Sequence, residues 1–192
     1  MPERVAGHPA YRTDRIALTG TPGTGKSAVA AALPRRFATA EVSALALGLG
    51  AGHRIPGGVE VDLAKLARRM RVTPEADLPQ VVVGHLAHLL PIRDAIVLRC
   101  QPVELARRLG RARRGSASDR RANVEAEATD VVLVEALSLG RRVWEVDTTE
   151  RSVAAVARAV GTIVRTRRRP GAGSVDWLSD PQVTDYLLRR GR

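Results

Sequence analysis

Residues 20–27 read GTPGTGKS, a glycine-rich octet that follows the apolar run IALT at 16–19 and precedes a helical pattern. The spacing G-x-x-x-x-G-K-S dictates a backbone. Glycines let successive N–H groups turn inward around a polyphosphate, and a helix starting beside the lysine adds partial positive charge at the same point. In that strand–loop–helix setting Lys26 reaches the β- and γ-phosphates of a nucleoside triphosphate, and the Ser27 hydroxyl is placed to coordinate Mg²⁺.

The rest of the chain alternates short apolar runs with longer helical patterns, the rhythm of a parallel sheet covered by helices. Strands are expected at 16–19, near 41–42, at 81–83, 95–98 and 143–146. Helices are expected from 27 to about 37, cut short by Pro34, from 62 to 70, from Pro102 through Leu109, from about 119 to 139 with Val124, Val131, Val134 and Leu137 inside, and from a Ser152 cap to 164. Residues 45–58 are glycine-rich and poor in pattern. With 192 residues and 44% hydrophobic content there is enough apolar material for one domain with a real core, at about 100–200 residues per domain. The expected division is a domain over 1–165 and a basic tail over 166–192.

The net charge is +11, and 29 of the 31 basic residues are arginines. Arginine forks onto phosphate or carboxylate at any biological pH, so the excess points to an anionic partner. One of only two lysines, Lys26, falls in the glycine-rich loop, where a compact charge suits a phosphate. Cys100 is the single cysteine, which excludes an internal disulfide and fits a reducing cytoplasm. The longest stretch without a formal charge, 78–92, has 15 residues, short of the roughly 18 of a membrane span. The expected setting is therefore cytoplasmic, away from membranes.

A phosphate-binding loop is shared by kinases, hydrolases and switches. Two features favour phosphoryl transfer. Arg99 follows a buried strand, and arginines at 107, 108, 111, 113, 114, 120 and 121 surround a glycine-containing stretch between two helices, the composition of a lid that closes on phosphates and excludes water; the cluster from Arg99 to Arg121 is therefore expected to serve the phosphates of a bound nucleotide. The irregular segment 45–58 on the other side suits an acceptor.

These residues carry a resemblance. GTPGTGKS at 20–27, GHLAHLLP at 84–91, VLRC from Val97, RRLGRARRG ending at Gly115, NVEAEATDVVLVEA from Asn123 and EVDTT at 145–149 are similar to the adenylate kinase-like NTPases of archaea and the isoenzyme 6 group of eukaryotes. The resemblance implies an α/β P-loop NTPase fold, with a five-stranded parallel sheet covered by helices on the plan of a nucleoside monophosphate kinase. It implies transfer from ATP to AMP, weak ATPase activity and a role in small ribosomal subunit maturation. Carried onto this sequence, Gly23, Thr24, Gly25, Lys26, Ser27 and Ala28 form the ATP-phosphate site, Arg114 is the lid arginine, His85 positions phosphate or water, and Asp147 and Thr148 lie beside the adenine. The resemblance places the acceptor segment near 43–58 and the lid near 113–123, and the expected cofactors are ATP and Mg²⁺, with Ser27 as the metal residue and AMP as acceptor.

The sequence departs from that pattern at Val83, where the family carries an acid, and at Ser43-Ala44, where it carries Gly-Asp. The alternative reading is a nucleotide-gated assembly factor with little kinase activity, binding a small-subunit ribosomal protein or rRNA. Its support is the arginines at 165–169 and 189–192, which suit phosphate neutralisation without an aromatic stacking platform.

Overall fold

In the computed structural model, which describes residues 12–112 and 115–189, the chain folds as a five-stranded parallel sheet flanked by helices. In chain order the elements are β1 Arg12–Thr19, α1 Lys26–Ala31, β2 Thr39–Glu41, α2 Val42–Gly48, β3 Gly52–Ile55, β4 Gly58–Val61, α3 Leu63–Val72, β5 Val81–Val83, β6 Ile92–Arg99, α4 Pro102–Arg111, α5 Ala117–Ala128, α6 Val131–Ser138, β7 Arg142–Asp147, α7 Val153–Thr166 and α8 Pro181–Arg189. The main sheet runs β2-β5-β1-β6-β7, and β3-β4 form a separate antiparallel hairpin.

The central strands are apolar on both faces because both faces are covered. On one side Ile16, Leu18, Ile96 and Leu98 meet Val29 and Leu33 from the α1 segment and Val156, Val160 and Val164 from α7. On the other, Ala17, Val82 and Ala95 meet Leu45, Leu66 and Met70. The chain leaves β1 toward β2 on one side of the sheet and leaves β6 toward β7 on the other. The crevice beyond the carboxyl ends of β1 and β6 is thus the switch point, where such sheets bind ligands.

Three expectations are corrected. The segment 43–58 is ordered, as helix α2 followed by the β3-β4 hairpin around Pro56 and Gly57. The helix expected over 119–139 is broken at Asp130, whose φ of 58° starts α6 in a new direction and leaves Val131, Val134 and Leu137 39, 56 and 47% exposed. The segment after α7, expected as a basic tail apart from the domain, returns to the sheet. Gly171 pairs with the edge strand β7, donating to Val143 O (3.0 Å) and accepting from Glu145 N (3.0 Å), and the Trp144 indole donates to Arg168 O (2.9 Å). The pairing covers part of an otherwise open sheet edge. Among the tail arginines, Arg167 turns inward onto the buried carboxylate of Asp94, which also binds Arg142 (2.7 Å), whereas Arg165, Arg168, Arg169 and Arg189 are exposed.

No helix of the described residues is long and apolar enough to cross a membrane.

Candidate functional site

The loop between β1 and α1 is shaped by close contacts. Gly20 has φ 134°, and a Cβ there would lie 2.4 Å from Leu98 O on the neighbouring strand; at Gly23, with φ 96°, it would lie 2.8 Å from both Leu105 and Leu109 of α4. Glycine is required at both positions. The ammonium of Lys26 folds back over the loop and donates to Gly20 O (2.7 Å) and Thr21 O (2.9 Å). The Thr24 hydroxyl and N–H both turn inward onto Thr21 O, at 2.9 and 3.2 Å. Thr24 therefore braces the loop, and it is not among the residues that line the cleft.

That cleft holds about 460 Å³ and is lined by Pro22, Gly23, Gly25, Lys26, Ser27 and Ala28 of the loop, Glu41 at the end of β2, Gly84 and His85 after β5, and Arg108, Leu109 and Ala112 at the end of α4. A second cleft of about 350 Å³, lined by Glu41, Val42, Ser43, Val59, Val61, Val83, Gly84, His85 and Leu86, adjoins it. The two share Glu41, Gly84 and His85.

His85 is fixed by its backbone, whose carbonyl accepts from the Thr19 hydroxyl (3.1 Å). Its ring opens to the cleft, yet the surrounding chain, then the charge on Lys26, lower its pKa, so it is neutral at neutral pH. His88 is fully buried and bonded at both nitrogens, to Thr19 (2.9 Å) and Glu135 (3.0 Å). It holds the turn after β5 against β1 and α6.

Beneath the loop lies a buried charge cluster that sequence reasoning missed. Arg99, at the end of β6, binds Glu127 (2.9 Å), Glu145 (2.5 Å) and Asp130. Burial opposes its charge, but Glu127 and Asp130 outweigh that and hold the guanidinium above its ordinary pKa. Glu127 also accepts from the Thr21 hydroxyl (2.5 Å), the Cys100 N–H (3.0 Å) and the Trp177 indole (3.3 Å). The expectation that Arg99 serves phosphates is corrected: Arg99 is 1% exposed and is held by carboxylates, of which Glu127 is 2% exposed.

Arg108, in contrast, reaches the cleft. It also donates to Thr148 Oγ1 (3.1 Å) and Thr148 O (2.9 Å), joining α4 to the loop after β7. Arg107 is committed to Glu104, whose carboxyl Arg107, with Arg108 beside it, holds down at about 2. Asp147 and Thr148 do not line the phosphate cleft. Asp147 accepts from Thr149 N (2.8 Å) and Oγ1 (2.6 Å), and buried Thr148 donates to Arg99 O (2.7 Å). Arg114 lies outside the described residues. Glu41 and Arg108 had a readable signal, since one closes a strand at the sheet's carboxyl edge and the other stands one place before Leu109 in the amphipathic α4.

The oxygen donors at the cleft, the Ser27 hydroxyl and the Glu41 carboxylate, fit Mg²⁺, which is bound through one or two protein oxygens plus substrate phosphates. No group of three or more His, Cys, Asp or Glu side chains that could hold a metal ion occurs among the described residues.

The sheet order and the loop define a P-loop NTPase of the α/β class. The AAA domain family model matches residues 16–130. A protein of Archaeoglobus fulgidus named "Putative adenylate kinase" is 44% identical over 171 residues, covering 86% of this chain and 92% of that one. One of the same name from Thermococcus onnurineus is 40% identical over 177 residues, covering 90% and 97%. The chain belongs to the family of these archaeal adenylate kinase homologues. A solved structure of an uncharacterized protein from Eubacterium ventriosum ATCC 27560 shares the fold, with a TM-score of 0.51 at 12% identity over 81% of this chain and all of that one.

Proposed function

We propose that this protein transfers the γ-phosphoryl group of Mg·ATP to AMP, giving two ADP. The observation that carries the reading is the pair of adjoining clefts. One is built on the phosphate-binding loop, the other on α2 and the hairpin, and they meet at Glu41, Gly84 and His85. A hydrolase needs only the first; a donor and an acceptor phosphate brought end to end need both.

The reaction breaks the bond between the γ-phosphorus and the β,γ-bridging oxygen and forms one from an AMP phosphate oxygen to that phosphorus. The attacking oxygen is already ionised, so no general base is needed, and catalysis rests on positioning and charge stabilisation. The backbone at Gly23 and Gly25 cradles the phosphates, and Lys26 exchanges its loop carbonyls for β- and γ-oxygens. Neutral His85 offers a hydrogen bond at the junction of the clefts. Arg108, and Arg114 from the lid, add positive charge over the transferring group and exclude water. Magnesium, when bound, neutralises phosphate charge, with Ser27 among its ligands. Asp147 and Thr148 serve the adenine end, outside the phosphate cleft.

The test is to incubate the purified protein with Mg·ATP and each nucleoside monophosphate, following ADP and inorganic phosphate separately. ADP formation that depends on AMP, with little phosphate released, is the expected result; phosphate release indifferent to every acceptor contradicts the proposal. That second outcome favours nucleotide-gated binding of rRNA or a ribosomal protein. Support for that reading comes from the exposed arginines of a tail linked to the loop through Trp177, Glu127 and Thr21.

A further inference from the structure

The phosphate cleft contains one acidic side chain among its described lining residues, Glu41. In the sheet Glu41 is the register partner of Val83, and Val83 of Leu18, so the carboxylate stands at the carboxyl edge of the sheet, level with the residue that leads into Gly84 and His85. Val83 itself is 1% exposed and offers a cation nothing.

The other carboxylates show why Glu41 stands apart. Among the described residues every other buried or half-buried carboxylate is engaged. Asp94 binds Arg142 and Arg167; Glu127, Asp130 and Glu145 bind Arg99; Glu104 binds Arg107; Asp147 accepts from Thr149 and Asp180 from Gln101. The carboxylates that have no partner, at Glu75, Asp77 and Glu150, are exposed. Among these side chains the Glu41 carboxylate alone belongs to a half-buried residue and has no hydrogen bond or ion pair among the described residues, and it stands beside the loop that receives a triphosphate. Partial burial of an unpaired charge is costly, and beside an anion it is repulsive as well. A divalent cation between the two removes both penalties.

We infer that Glu41 supplies the carboxylate that, with Ser27, holds the Mg²⁺ of bound ATP, directly or through a coordinated water. The acid comes from β2, one strand over from Val83. The inference deepens the proposed function and rests on its premise that the loop binds Mg·ATP.

The test uses the full chain with ATP and, as the spectroscopic substitute for Mg²⁺, Mn²⁺ measured by electron paramagnetic resonance. Glu41→Gln is expected to bind ATP in EDTA at least as tightly as the wild type, while Mn²⁺ affinity for the protein–ATP complex falls about tenfold or more. Glu41→Asp, which keeps the charge, is expected to fall between the two. Equal Mn²⁺ affinity in Glu41→Gln and wild type overturns the inference, including the case where only the metal-free ATP affinity changes. Should Glu41→Gln lose its thermal transition, Glu41→Asp decides: a folded Asp variant with Mn²⁺ affinity about threefold or more below wild type supports the assignment, and one that stays within about threefold of wild type or binds Mn²⁺ more tightly overturns it. A wild type that binds no ATP, in EDTA or with metal, instead fails the proposed function.

Discussion

Lys26→Ala lowers AMP-dependent ADP formation by about 100- to 1000-fold, the usual cost of removing one preorganised group that stabilises transferring charge. The loop itself survives, because its shape is set by Gly20 packed on Leu98, Gly23 packed on α4 and Thr24 turned onto Thr21, none of which needs the ammonium. The melting temperature therefore stays near that of the wild type while kcat collapses. Lys26→Arg fails as well, since a planar fork cannot take the place of a compact ammonium that bonds two adjacent loop carbonyls at 2.7 and 2.9 Å. Steady-state kinetics with a parallel thermal melt checks both parts, and a variant that retains more than a tenth of wild-type kcat contradicts the role given to Lys26.

Glu127→Ala has the largest expected effect on stability. The substitution removes the partner of Arg99 and leaves the Thr21 hydroxyl, the Cys100 N–H and the Trp177 indole without their acceptor. Breaking one side of a buried ion pair costs about 3–5 kcal/mol. For a chain of this size that is a fall in Tm on the order of 10 °C. Asp130 and Glu145 remain on Arg99 and keep the loss from exceeding that range. Because Thr21 is the second residue of the phosphate-binding loop, ATP affinity weakens too, although Glu127 touches no substrate. Thermal melts with and without saturating ATP measure both effects, and an unchanged Tm contradicts the account of the cluster.

The parts of the molecule legible in the sequence are those determined locally. The loop is a contiguous motif, the buried strands are unbroken apolar runs, and the caps Asp62 and Ser152 and the first-turn Pro102 sit at the starts of their helices. What escaped was determined by distant residues. The turn at Asp130 depends on Arg99, 31 positions earlier, and without that contact the periodicity of 119–139 reads as one helix. Arg99 looked like a phosphate ligand because sequence shows its charge but not the three carboxylates around it. Residues 45–58 did carry a local signal, the Pro56-Gly57 turn between two short strands, hidden by the glycines that surround it. Glu41 and His85 lie 44 residues apart and meet only because β2 pairs with β5.

The central claim is that a donor cleft and an acceptor cleft join at the carboxyl edge of the sheet, and a bisubstrate analogue tests it most directly. Two adenosines joined by five phosphates span an ATP and an AMP site at once. Calorimetric titration is predicted to show one molecule bound per chain, competing with both ATP and AMP and binding more tightly than either. An analogue displaced by ATP but indifferent to AMP, with no gain in affinity over ATP, contradicts the account.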